Sequence, residues 1–326
     1  MTHLIQTMAY QGATPWHGLG NPLSKKQALE VWQREAGMDW TIQSSPVHYQ
    51  EQDHSQAQTH LRQYNDAKVL YRSDSGEALS VVSNRYQVVQ PHDVLEFYRD
   101  LVDLGGFELE TAGVIKGGRK LWALASTGQE TLLKGNDRVK AYLLLATACD
   151  GTLATTAQFT SVRVVCNNTL AMATSDSSGA IKVPHSTTFD ADKVKQQLGI
   201  GITAWQRFSE NMRNLADTNI HPFEARRYLV DVLGDPELTF HNQPNSKTLK
   251  RVFDLYTGQG MGSNLTSAND TAWGVLNAVT QFVDHERRAR SADNRLDSAW
   301  FGQGNALKAK AFEAALLLTV KSTAAR

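Results

Sequence analysis

The sequence predicts an α+β fold in which an antiparallel three-stranded meander is flanked by helices and followed by a mostly helical C-terminal unit. Three observations predict it. Apolar runs of strand length at Phe107–Ile115, Lys120–Ala125 and Val139–Ala148 are separated by turn chemistry at Gly117-Gly118 and Gly135-Asn136-Asp137. Upstream, Val94, Leu95, Phe97, Tyr98 and Leu101 recur at helical spacing behind Pro91. From Asp190 onward the apolar spacing is helical almost to the end.

Taken in order, Ser24 is the expected N-cap of a helix running through Ala28, Leu29 and Trp32 to about Ala36. Val47–Tyr49 and Val69–Tyr71 alternate as short strands, with the polar stretch Gln50–Gln58 between them as an exposed loop. Val81-Val82 and Tyr86–Val89 read as a strand edge before the helix that stops at Gly105-Gly106. After the meander, Asp150-Gly151 turns the chain. The spacing of Phe159, Val162, Val165 and Leu170 then predicts a helix over 155–172, against the β-branched content of that stretch. Helices follow at Val194–Phe208, Phe223–Val232, Ser246–Tyr256, Thr271–Arg288 and Ala306–Val320, with a glycine-rich loop at Tyr256–Gly262. The expected division is an appendage over 1–75, an α-βββ-α core over 76–189 and a helical unit over 190–326, since 326 residues exceed the usual reach of one core.

Composition excludes several classes. Apolar residues make up 41% and charged residues 20%, which is neither collagenous nor disordered. The 33 basic and 33 acidic groups cancel, so no global field draws the chain to nucleic acid or to an anionic membrane. A polyanion would need a local patch. No apolar run reaches bilayer length and Met1–Gly12 lacks the pattern of a secretory signal, so the expectation is a cytoplasmic protein. Cys149 and Cys166 are too far apart for a zinc knuckle or redox motif and are expected as free, buried thiols.

The candidate chemistry is cationic. Lys116, Arg119, Lys120, Lys134, Arg138 and Lys140 cluster at the turns of the meander, where they could track a phosphate backbone or simply guard a hairpin edge. Arg163, between Val162 and Val164, must find an anion or carbonyl. Either an internal acid such as Asp150 pairs with it, or it faces a bound phosphate. Asn167 and Asn168 beside it suit bases, sugars or a turn. Arg287, Arg288, Arg290 and Arg295 follow a helix whose C-terminal dipole alone would favour them. Asp284-His285-Glu286 lacks the histidine spacing of a zinc helix. Trp16-His17-Gly18-Leu19-Gly20 is either a stacking platform or an aromatic anchor between flexible corners. The glycine-rich loop lacks the ending of a phosphate loop, and no nucleophile elbow is present, so no cofactor and no enzymatic activity are expected.

Pro15–Gly20, Arg163-Val164-Val165-Cys166-Asn167-Asn168-Thr169-Leu170, Thr271-Ala272-Trp273-Gly274 with Asn277-Ala278-Val279-Thr280, and Val283-Asp284-His285 together resemble the phage/plasmid-like proteins of the domain of unknown function 932 family. The resemblance spans nearly the whole chain and implies the setting of a phage, plasmid or integrated element. The expected order of helix, three strands and helix is also similar to the core of phage single-strand annealing recombinases, without a shared motif. Together these give the expected function: a homo-oligomeric protein that binds and anneals single-stranded DNA, with Lys116, Arg119, Lys120, Arg138, Lys140 and Arg163 on phosphates, Asn167 and Asn168 nearby, and Arg287 and Arg288 as a second surface. The alternative is a non-enzymatic protein whose partner is a host protein, for example one of a defence system.

Overall fold

A computed structural model describes residues 5–12, 20–53, 58–103, 106–166, 168–171, 180–198 and 201–324. The architecture is α+β, with a large mixed sheet, a small antiparallel sheet and a helical C-terminal region. The chain forms two compact units. The first comprises Met1–Ala125, Leu143–Ala157 and Ala180–Leu198; the second comprises Ser126–Tyr142, Gln158–Gly179 and Gly199–Arg326.

The elements run β1 (Ile5–Gln11), β2 (Asn21–Leu23), α1 (Leu29–Glu35), β3 (Ile42–Asp53), β4 (Gln58–Arg72), β5 (Ala78–Ser83), α2 (Pro91–Glu96), α3 (Arg99–Asp103), β6 (Glu108–Ile115), β7 (Lys120–Leu133), β8 (Asp137–Ala148), β9 (Thr155–Arg163), β10 (Asn168–Ala171), β11 (Ala180–Val183) and α4 (Ala191–Leu198). The eight-stranded sheet has the order β10-β9-β8-β7-β6-β1-β2, with β11 on β9. It is mixed because β2 runs parallel to β1, whereas β1 and β6 pair antiparallel.

The three predicted strands correspond to β6, β7 and β8 of this larger sheet, with β7 running on to Leu133 where the sequence predicts an end at Ala125, and the chain after them does not turn helical. Thr155–Arg163 and Asn168–Ala171 form an antiparallel pair, with Asn168 opposite Arg163. Thr155, Thr156, Thr160 and Val162 explain the difference. Their branched side chains lose rotamers in a helix and pack well on a pleated surface, which outweighs an apolar spacing compatible with either period.

In the first unit, α1 starts at Leu29 behind Ala28, whose side chain makes no cap. Ser24 does not cap it, because Lys26 takes a positive φ of 60° and turns the chain before the helix begins. The polar stretch 50–53 continues β3 instead of forming a loop; Gln50 pairs with Leu61 and Glu51 with His60. Strand β5 supports β4 only over Ala67–Tyr71. Farther out, Val47–Glu51 and His60–Tyr64 form a two-stranded ribbon on which Tyr49, Leu61 and Tyr64 are exposed. Tyr86–Val89 is irregular and is anchored by Gln87, whose N–H donates to the His185 carbonyl at 2.6 Å. Leu95, Phe97 and Tyr98 are buried, and the Tyr98 hydroxyl lies 2.8 Å from the Ala123 carbonyl and 3.1 Å from that of Leu143.

The second unit is built from α5 (Gly201–Asp217), α6 (Pro222–Leu233), α7 (Ser246–Asp254), α8 (Ala272–Gln281), α9 (Ala292–Phe301) and α10 (Gln303–Ala324). Its core gathers Phe208, Met212, Leu229, Val252, Trp273, Leu276 and Phe312 among others. All ten residues of α8 are buried, as its nearly continuous apolar sequence requires. Thr271 caps α8 by accepting from the Gly274 N–H at 3.1 Å. A Cβ at Gly274 would lie 1.8 Å from the Ala268 carbonyl oxygen, so only glycine fits there. The spacing misses α9 because Leu296 and Ala299 are its few buried apolar positions; Ser291 caps it at the Asn294 N–H. Among the described residues no helix is long and apolar enough to cross a membrane.

Replacing Tyr98 by Phe removes a buried hydroxyl that serves two carbonyls, and is expected to lower stability by about 1–3 kcal/mol in urea unfolding, without changing the dependence on urea concentration.

Candidate functional site

Asp137 begins β8 directly after Asn136, whose φ is 62°. It is in phase with Val139 and Ala141, so the strand carries its carboxylate into the core, where its exposure is 0%. Arg163, at the end of β9, is 2% exposed and meets it there. The arginine Nε lies 2.9 Å from both carboxylate oxygens and Nη2 lies 2.8 Å from Oδ2. Ser267 Oγ donates to Oδ2 at 2.6 Å and Trp273 Nε1 at 2.9 Å. The remaining arginine donors reach the carbonyls of Met261 at 3.4 Å and Gly262 at 3.0 Å. Gly262 has a φ of 68°, and a Cβ there would sit 2.7 Å from Val165 Cγ1, so the glycine-rich loop closes over the pair because it lacks a side chain at this point. Two charges this deep persist only when every polar atom is matched.

A second buried network joins β10, α8 and α10. Asp284 Oδ2 accepts from the Thr169 N–H at 2.7 Å and hydroxyl at 3.2 Å, while Oδ1 receives Lys308 Nζ at 2.7 Å. Lys308 also donates to Thr169 Oγ1 at 2.6 Å. Burial pulls the Lys308 ammonium below the usual lysine range, against the pull of Asp284. Asn168 Nδ2 donates to the Asn277 carbonyl at 3.2 Å, and Asn277 Nδ2 to the Trp273 carbonyl at 2.8 Å. His285 Nε2 lies 2.9 Å from the Cys166 carbonyl and 3.1 Å from Asn168 Oδ1, both acceptors, so this nitrogen carries the proton. Burial lowers the His285 pKa from its ordinary value. Between these groups lies a cavity of about 10 Å³ lined by Arg163, Asn168, Thr169, Trp273 and Asn277. That is about the minimum for one water, and it rules out a base or sugar.

The network therefore draws in Arg163 and Asn168, which the sequence offers as nucleic-acid contacts, and its geometry is that of a closed scaffold. The partner of Arg163 is Asp137 and not Asp150, whose Oδ1 accepts from Thr152 in the turn after β8. Asn167 and Trp16-His17-Gly18-Leu19 lie outside the described residues. In the first unit Lys116 is half-buried, Lys120 is buried, and Arg119 is exposed with its Nε on the Leu79 carbonyl at 2.8 Å. In the second unit Arg138 is exposed and pairs with Glu130 at 3.3 Å, and Lys140 is half-buried. The cations named from the sequence are thus distributed over both units.

Asp284, His285 and Glu286 turn to three different sets of partners, and among the described residues no His, Cys, Asp or Glu cluster could hold a metal. Both cysteines are free and buried; burial pushes the Cys149 thiol up to about 12 and Cys166 to about 11.

The second unit also carries an open cleft of about 480 Å³. It is lined by Val232, Leu233, Phe282 and Leu307, by Asn245 and Thr248, and by Glu286, Arg287 and Arg288. Arg251 grips the Glu286 carboxylate through Nε at 2.7 Å and Nη2 at 2.8 Å. Arg287 reaches only the neutral Ser298 Oγ and Gln303 Oε1, each at 3.4 Å, and among the described residues Arg288 forms no ion pair. With Glu286 held by Arg251, the cleft presents two arginines that have no carboxylate partner among the described residues.

The model of the domain of unknown function family DUF932 matches residues 78–300. The chain belongs to this DUF932 family. The matched span contains Asp137, Arg163, Asn168, Thr169, Ser267, Trp273, Asn277, Asp284 and His285, so nearly all of the buried network is DUF932 sequence, with Lys308 beyond it. No curated protein and no solved structure matches the chain.

Sequence reasoning passes over Asp137 and Lys308. Their signals are phase: Asp137 sits two and four residues before the inward Val139 and Ala141, and Lys308 shares a helix face with the buried Ala311, Phe312 and Ala315.

Arg163→Met leaves Asp137 charged in the core and is expected to cost about 3–5 kcal/mol in chemical denaturation, with much of that recovered in the Asp137→Leu/Arg163→Met double variant. His285, with a lowered folded pKa, binds fewer protons folded than unfolded just below its ordinary value. Stability therefore declines as pH falls through that window. His285→Gln keeps a donor and is expected to flatten this decline in melts followed from pH 7 to pH 5.

Proposed function

We propose that this protein is a non-enzymatic binder of single-stranded DNA that acts as a homo-oligomer during recombination or replication of a phage or plasmid. The observation that supports this reading is the Arg287-Arg288 pair, two cations without carboxylate partners among the described residues, set on an apolar cleft. Strand binding without sequence preference combines such cations with apolar or aromatic faces on which bases rest. The buried, high-pKa thiols favour binding over nucleophilic catalysis.

The binding set is narrower than the sequence suggests. Arg163 and Asn168 act as scaffold, and Arg287 and Arg288 carry the contacts, with Arg138 and Lys140 as further cations of the same unit. Lys116, Arg119 and Lys120 belong to the first unit and are not part of this binding set. The likeness to annealing recombinases adds little, because the helix expected after the third strand is replaced by β9 and β10.

The exposed ribbon with Tyr49, Leu61 and Tyr64 favours a second reading, in which a host protein is the partner. It predicts a stoichiometric complex that is lost when these three residues become Ser, with no affinity for oligonucleotides.

Under the first reading, fluorescence-anisotropy titrations with an oligothymidylate show affinity falling with salt. Arg287→Gln/Arg288→Gln reduces the slope of log K against log salt by about 1.4, at about 0.7 for each single-strand phosphate contact. An unchanged slope contradicts the assignment.

A further inference from the structure

We infer that the 480 Å³ cleft of the second unit seats one nucleotide of the bound strand, with its phosphate on Arg287 and Arg288 and its base over Phe282, Leu233 and Leu307. This rests on the single-strand reading and says what its cleft holds. Its volume lies within the roughly 300–1,000 Å³ usual for small-molecule sites.

Three features of the lining point to a nucleotide. First, charge: Arg251 already occupies Glu286, so the field inside the cleft is that of two adjacent guanidiniums, and a phosphate is the anion such planar forks hold best. Second, shape and polarity: Val232, Leu233, Phe282 and Leu307 offer an apolar bed beside the charges, which suits the face of a base and is wasted on inorganic phosphate alone. Third, an unmet hydrogen bond: Asn245 spends Nδ2 on the Leu233 carbonyl at 2.7 Å, while its Oδ1 is buried with no partner. A buried acceptor left unmade is costly, and a ring N–H or exocyclic amine of a base supplies the missing donor. A carboxylate-rich peptide matches the charge and can offer a backbone N–H, but it brings no flat ring to the apolar bed.

The cleft also accounts for the position of the arginines. Phe282–Glu286 is a π-turn that ends α8, and the Arg287 N–H closes it on the Phe282 carbonyl at 2.7 Å. The same turn thus places the aromatic ring and the two cations within a few residues of each other.

The test uses the full-length protein and three probes: a deoxynucleoside 5′-monophosphate, inorganic phosphate and an oligothymidylate, with an acidic peptide as control. Thermal shift and anisotropy report binding. The expected result is that the mononucleotide binds and competes with the oligonucleotide, while inorganic phosphate binds at least ten-fold more weakly and the peptide does not compete. Thr248→Trp fills the cleft and Arg288→Glu reverses an exposed charge; each is expected to weaken both nucleotide probes at least ten-fold while leaving the melting temperature and circular dichroism near wild type. If one variant folds poorly, the other decides. Oligonucleotide binding that survives both variants overturns the pocket while leaving single-strand binding in place. No oligonucleotide binding under any salt condition overturns the underlying reading, and peptide binding that Arg288→Glu abolishes assigns the cleft to an acidic protein partner instead.

Discussion

The second unit is organised around the pair formed by Asp137 and Arg163. Both side chains are removed from water, and a buried ion pair offsets its desolvation only with matched geometry and full hydrogen bonding. The fold meets that condition from four directions: the start of β8, the end of β9, the carbonyls of Met261 and Gly262, and the indole of Trp273 on α8 with Ser267 before it. Each contributor is fixed in register by the demand. A slip of one residue in β8 would turn Asp137 outward and leave the guanidinium unpaired in the core. The second network, of Asp284, Lys308 and Thr169, ties β10 to α10 by the same principle.

This explains why the described residues of the segments that carry the family resemblance hold so many polar groups yet form a closed network. Arg163, Asn168, Trp273, Asn277, Asp284 and His285 are spread over about 120 positions of sequence, and every one of them satisfies another polar group inside the unit. Their chemistry is spent on specifying one arrangement of strands and helices. The proposed binding then rests on groups outside this network, and Arg287 and Arg288, just after the scaffold, are two cations without carboxylate partners among the described residues that also line a cleft.

Much of this was legible in the residues. Gly117-Gly118 and Gly135-Asn136 marked the meander turns, since these positions take the positive φ that glycine and asparagine tolerate, and Pro91 marked the start of α2. The 155–172 stretch was not, because its apolar positions fit both a helical and an extended period and only its branched side chains favour the strand. The need of Arg163 for an anion was readable from its apolar flanks. Its partner was not, because Asp137 looks like a turn residue until its phase with Val139 and Ala141 is set beside it. Lys308 was hidden for the same reason in α10. The cleft could not be read at all, since Asn245, Phe282 and Leu307 come from separate elements that only packing brings together.

Hydrogen–deuterium exchange with and without a saturating single-stranded oligonucleotide tests the division of labour most directly. The account predicts slow exchange at 137–142 and 161–166 in both states, with new protection confined to 245–248 and 282–288 when the strand is present. New protection at 161–169 with no change at 282–288 would contradict it, placing the ligand on the residues assigned here to the scaffold.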